Sequence, residues 1–126
     1  ILGPDHPDTL LSVCILALVL QSQGKYDESE VMNRRALEGR ETVLGPNHPS
    51  TLTSVDNLAI VLESQGKYDE SEWMNRRALE DSENILGIDH PDTLISVSNL
   101  ARVLRIQGKY TGSQTMYRHA LQGCSK

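Results

Sequence analysis

Histidines, cysteines and serines are the residues of this chain whose chemistry first invites a functional site. His6, His48 and His90 recur at a fixed offset of 42 residues. Imidazole is the commonest metal ligand among side chains, but zinc–nitrogen bonds are only about 2 Å long. Histidines holding the same place in successive repeats lie one repeat apart and cannot share an ion, so a structural role is expected for all three. His119 stands alone and reads as a surface residue. Cys14 and Cys124 form neither a CxxC pair nor a disulfide framework, and a reduced, cytoplasmic setting is the simplest expectation. No serine sits in GxSxG, and neither a P-loop nor GxGxxG occurs. Nucleophile, base and metal ligands are not assembled anywhere. Hence no catalysis, no metal site and no cofactor are expected. Arg34-Arg35 and Arg76-Arg77 are basic pairs flanked by acid, which argues against phosphate binding. Glu30 and Arg34 stand four apart, as do Glu72 and Arg76, in the favourable order for an ion pair along a helix. Met32, Met74 and Met116 share one repeated position and read as core rather than as ligands.

The elements that carry these residues repeat. Leu2-Gly3-Pro4-Asp5-His6-Pro7 returns as Leu44-Gly45-Pro46-Asn47-His48-Pro49 and as Leu86-Gly87-Ile88-Asp89-His90-Pro91. Residues 2–43 and 44–85 agree at 30 of 42 positions, the other 12 differing. Each copy predicts two helices. The first begins at the His-Pro step, because proline suits a first turn, where its missing N–H has no partner to lose. Asp5, Asn47 and Asp89 are the expected caps, and His6, His48 and His90 weaker ones. Leu52, Val55, Leu58, Ala59 and Leu62 follow at helical spacing, and Gly24, Gly66 and Gly108 end these helices. The second helix begins near Asp27 or Asp69, whose charge suits a helix N-terminus. The spans expected are 7–23, 49–65 and 91–107 for the first helices. For the second they are 27–43, 69–85 and 111–122. A turn of about three residues makes the two helices of a pair antiparallel. Ala17, Ala59 and Ala101 are expected at close helix contacts. A lone pair cannot bury its apolar face, so the pairs must stack as a solenoid.

Charge and hydropathy exclude other classes. A net charge of −5 offers no basic stripe for nucleic acid. The longest apolar run, Val13 to Leu20, is far short of the roughly 20 residues of a membrane span. No signal peptide is read at the start. The chain opens inside its recurring motif and without Met, so it is expected to be part of a longer protein.

Asn57-Leu58-Ala59, Leu62, Gln65-Gly66-Lys67-Tyr68 and Ala78-Leu79-Glu80 together resemble the tetratricopeptide repeat. The period of 42 and the Leu-Gly-Pro-Asn-His-Pro linker are similar to the long repeats of kinesin light chains. They are equally similar to the C-terminal arrays of fungal and bacterial signalling ATPases. The resemblance implies an all-α fold, a right-handed α-solenoid of three antiparallel helix pairs. It would form one segment over 1–126, with repeats at about 2–43, 44–85 and 86–126. Departures are Ser29, Ser71 and Ser113, where the family often has Ala, and Asn33 and Asn75, where it often has an aromatic. Thr111-Gly112 replaces the acidic pair of the earlier copies, and glycine there is expected to weaken the last helix.

The resemblance further implies that the first helices line a concave, protein-binding surface. The groove positions would be Leu11, Cys14, Ile15 and Leu18 in copy one. In copy two they would be Thr53, Asp56, Asn57, Ile60 and Glu63, and in copy three Ile95, Ser98, Asn99, Arg102 and Arg105. Asn57 and Asn99 match the family's Asn before Leu-Ala, which often bonds the backbone of a bound peptide. An amide both donates and accepts, as a peptide unit requires. The expected function is a protein–protein interaction module holding a peptide or partner domain in that groove. The alternative is a self-associating structural or regulatory arm that adds head to tail. No nucleic acid or membrane partner is expected.

Overall fold

The computed structural model describes residues 6–124, and among them every regular element is an α-helix. In chain order they are α1 (Pro7–Ser22), α2 (Tyr26–Leu44), α3 (Pro49–Ser64), α4 (Tyr68–Leu86), α5 (Pro91–Ile106) and α6 (Tyr110–Cys124). The first helices end within one residue of their expected limits. The second helices begin one residue before theirs. Asp5, expected as a cap, and Lys126 lie outside the described residues, as does the side chain of His119.

Two compact units divide the chain, residues 1–66 and residues 67–126. In the first, α2 packs against both α1 and α3. In the second, α5 packs against both α4 and α6. Each turn inside a pair is short because a glycine takes the left-handed backbone that side chains avoid, φ 79° at Gly24 and 83° at Gly108.

The caps correct one expectation. His6, His48 and His90, not their acidic or amide neighbours, are the N-caps. The backbone N–H of Asp8, Ser50 and Asp92 donates to the respective imidazole Nδ1 at 3.1, 3.0 and 3.1 Å. The reason is position. Pro7, Pro49 and Pro91 occupy the first helical place, so the residue immediately before each is the one whose side chain can reach the second free amide. Asn47 and Asp89 stand one residue too early.

The core follows the helical stripes. In the first unit Leu10, Ala17, Ala36, Leu52, Val55, Leu58, Ala59 and Leu62 are buried. In the second, Ala78, Val97, Leu100, Ala101, Val103 and Leu104 are buried. Ala17, Ala59 and Ala101 are all inaccessible, as their spacing predicts. Ser29 Oγ donates to the carbonyl of Ala17 at 2.8 Å, and Ser113 Oγ to that of Ala101 at 2.8 Å. A methyl is the largest side chain that lets two helix backbones approach closely enough for a serine on one to reach a carbonyl on the other. Asn33 Nδ2 then donates to Ser29, at 3.0 Å to its carbonyl and 3.3 Å to its hydroxyl. The departures from the family pattern at Ser29 and Asn33 are therefore one buried polar pin, Asn33 donating to Ser29 and Ser29 in turn to the Ala17 carbonyl. The three methionines are half-buried rather than core. Gly112 packs within the second unit, where an added Cβ would stand 3.4 Å from Leu104 Cδ1. Its neighbourhood thus accepts alanine as well as glycine, so the fit does not offset the helix cost of glycine.

Candidate functional site

The faces of α3 and α5 that the resemblance marks for partner binding are built from the same helical register. Positions 53, 57, 60 and 64 stand on the side of α3 turned away from its buried stripe at Val55, Leu58, Ala59 and Leu62. On α3, Asp56, Asn57, Ile60 and Glu63 are half-buried and Thr53 is exposed. In the second unit α5 presents Ile95 and Arg105 exposed, with Ser98 and Arg102 half-buried. Asn99 is buried at 9% exposure, deeper than a groove-lining role predicts. Its counterpart Asn57 retains more surface.

The first helix of the chain differs. Leu11, Ile15 and Leu18 are exposed, as expected, but Cys14 is buried and carries a free thiol. Cys14 lies three residues before Ala17 and four after Leu10, both buried, and so belongs to the stripe facing α2 rather than to the outer face.

Polar ties between successive repeats were not foreseen from the sequence. Gln65, at the end of α3, donates from Nε2 to Asp27 Oδ1 in the first turn of α2 at 2.7 Å. In the second unit Gln107 donates to Asp69 Oδ1 at 2.8 Å. Lys109 Nζ donates to Glu72 Oε1 at 2.7 Å, and Arg76 Nε to Glu72 Oε2 at 2.8 Å. The Lys109 ammonium, then the Arg76 guanidinium, hold the Glu72 carboxyl below the usual range against the opposing cost of burial. Asp27 and Asp69, expected to favour helix N-termini, thus also fasten the next repeat. The Gln-Gly-Lys-Tyr stretch carries the signal. Its glutamine and lysine are the donors, and their acceptors lie 37 or 38 residues upstream.

A second tie appears in one unit alone. Arg40 Nη1 of α2 donates to the Ser50 carbonyl at 2.9 Å and to Ser54 Oγ of α3 at 2.8 Å. Ser82 replaces that arginine in α4. In the second unit the buried hydroxyl of Ser96, the counterpart of Ser54, then has no hydrogen-bond partner. Nearby, burial raises the pKa of Asp81, with Arg77 at 3.9 Å opposing.

Among the described residues no group of three His, Cys, Asp or Glu side chains could hold a metal ion. No described helix is long and apolar enough to cross a membrane.

Solved structures of similar fold support this geometry. BtubC (BKLC) from P. vanneervenii superposes with a TM-score of 0.88 at 19% identity, over 96% of this chain and 48% of that one. A Podospora anserina putative kinesin light chain with nearly identical TPR-like repeats gives a TM-score of 0.87 at 24% identity, over 98% and 59%. The TPR domain of Arabidopsis FLU gives 0.80 at 16%, over 92% and 94%. The chain spans about half the length of the first two. No curated protein sequence matches it. The family model described as tetratricopeptide repeat matches residues 11–81 and again 55–126, and the chain belongs to the tetratricopeptide repeat family.

Proposed function

We propose that the chain is a non-catalytic interaction module that holds a peptide or partner domain through the outward faces of its first helices. Proteins of this family are in general protein-interaction modules. The observation carrying the finer reading is the equal register of Asn57 and Asn99, amides placed beside half-buried or exposed groups on α3 and α5. Asp56, Ile60 and Glu63 would surround the amide in the first unit, and Arg102 and Arg105 in the second. Unit one further offers exposed Leu11 and Leu18 to apolar side chains. Arginines flanking an amide suit a peptide carrying acidic residues. The proposed setting is a reducing, cytoplasmic one, in keeping with the free thiol of Cys14.

Synthetic leucine-rich peptides test the face of the first unit and Asp/Glu-rich peptides that of the second, with charge-reversed peptides as controls. Fluorescence anisotropy is expected to give binding that weakens roughly 10-fold or more in Asn57→Ala for the first series and in Asn99→Ala for the second, since a buried peptide group would lose its partner. Equal affinity of wild type and the matching variant would reject that face as a binding site.

A further inference from the structure

Arg40 closes the junction between α2 and α3, and the junction between α4 and α5 keeps the same frame without it. In the first unit one guanidinium nitrogen, Nη1, donates to the Ser50 carbonyl at 2.9 Å and to Ser54 Oγ at 2.8 Å. The repeat offset places Ser82, Asp92 and Ser96 at the positions of Arg40, Ser50 and Ser54. Ser82 supplies no cation. Ser96 is 0% exposed, and its hydroxyl has no hydrogen-bond partner. A buried hydroxyl without a partner costs stability, so a donor that reaches Ser96 is favoured.

Charge points the same way. Gly39, Asn47 and Ser50 of the first unit become Asp81, Asp89 and Asp92 in the second. With Arg40 replaced by Ser82, the exchange removes one cation and adds three carboxylates. Asp81 is half-buried, and Arg77 approaches it only to 3.9 Å. These carboxylates do not amount to a metal site, since no group of three such side chains among the described residues could hold an ion.

We propose that the α4–α5 junction is a binding site for a guanidinium group, the side chain of an arginine on a partner protein, in the place that Arg40 holds in the first unit. The Asp92 carbonyl and Ser96 Oγ accept its N–H groups, and the added carboxylates balance its charge. Guanidinium suits the site better than ammonium, because it is planar, weakly hydrated and less costly to bury. The way in lies beside Asp92, which is exposed where Ser50, bonded to Arg40, is half-buried. The back of the site is covered, with Ser82 at 2% exposure. An entering group must part that cover. This takes up some of the binding free energy and puts the affinity of a lone guanidinium at about the millimolar level. Ser96 belongs to the buried stripe of α5 with Leu100 and Val103, so the site is separate from the outward face proposed for peptide binding and does not depend on it.

Proton–nitrogen correlation NMR on the 126-residue chain tests the proposal. Methylguanidinium chloride is the probe, and methylammonium chloride at equal concentration is the control. The amides of Ser82, Asp92 and Ser96 should shift together and saturate with methylguanidinium, and stay in place with methylammonium. A blocked pentapeptide of glycines around one arginine should give the same shifts, and its lysine counterpart none. Ser82→Arg fills the site from within the chain and should weaken binding of either guanidinium ligand about 10-fold or more. Ser96→Ala removes one acceptor and should weaken it about 5-fold. An equal response to methylguanidinium and methylammonium, or none to either, overturns the proposal. So does undiminished binding in Ser96→Ala or in a natively helical Ser82→Arg. Binding of methylguanidinium without binding of the arginine peptide overturns the assignment to a partner's side chain.

Discussion

A histidine before a proline means different chemistry depending on what its ring can reach. In this chain each imidazole accepts a backbone N–H two residues on, which gives the residue a structural reason to recur. The histidine spacing was legible in the sequence. The choice of His over Asn or Asp as the cap was not, because it depends on counting from the proline rather than on capping rank. Arg40 and Ser82 were opaque for another reason. Reading one repeat alone, either residue is an ordinary helix former. Only the fold shows that Arg40 satisfies the Ser54 hydroxyl while Ser82 leaves Ser96 without a partner. Buried hydroxyls without partners cost stability, about 1–3 kcal/mol when a partner is lost. Ser82→Arg should therefore stabilise the second unit by about 1 kcal/mol, a few degrees in Tm. A melt of the variant at or below wild type would mean that the guanidinium cannot reach Ser96.

At the scale of the element, helix existence and order were legible because every cue agreed. Proline opened, glycine closed, and a three- to four-residue apolar spacing ran between them. The ties between elements were not legible, since a Gln and an Asp 38 residues apart carry no local signature. The Glu72 cluster makes such a tie measurable. Its carboxyl is held low chiefly by Lys109 and then Arg76, so the folded state binds a proton less readily than the unfolded chain. A depressed acid contributes stability that is present above its unfolded pKa and is lost as pH falls through the folded one. Lys109→Met removes the first-ranked cause. The variant should be less stable than wild type at neutral pH. It should also lose less further stability between about pH 5 and about pH 3, where this linkage acts. Chemical denaturation at several pH values checks it. Parallel stability curves for the two proteins would show that Lys109 does not set the Glu72 proton affinity in the folded state.

For the whole molecule, repetition separates what the fold needs from what each repeat is free to vary. Residues common to copies one and two are the caps, the glycines, the buried alanines and the Ser–Asn pin, and they account for architecture. Positions that differ between copies fall largely on outward faces, where Ile15 becomes Asn57 and Asn99, and Leu18 becomes Ile60 and Arg102. The candidate faces were thus readable as a set, while the burial of Cys14 and Asn99 was not, because packing depth depends on which neighbour covers a position. Charge is the sharpest difference between the outward faces. Copy two carries Asp56 and Glu63, and copy three carries Arg102 and Arg105, within a chain of net charge −5. A basic site on an acidic protein discriminates among ligands by encounter, since exposed charges act mainly on association rate and are screened by salt. Stopped-flow association with an acidic peptide at low and high salt should show wild type slowing as salt rises. Arg105→Glu should be slower at low salt by about 10-fold and nearly salt-independent, with dissociation changed far less. If Arg105 instead serves only in surface ion pairing, worth about 0–1 kcal/mol, both proteins would associate at one rate regardless of salt, and the electrostatic role of α5 would be withdrawn.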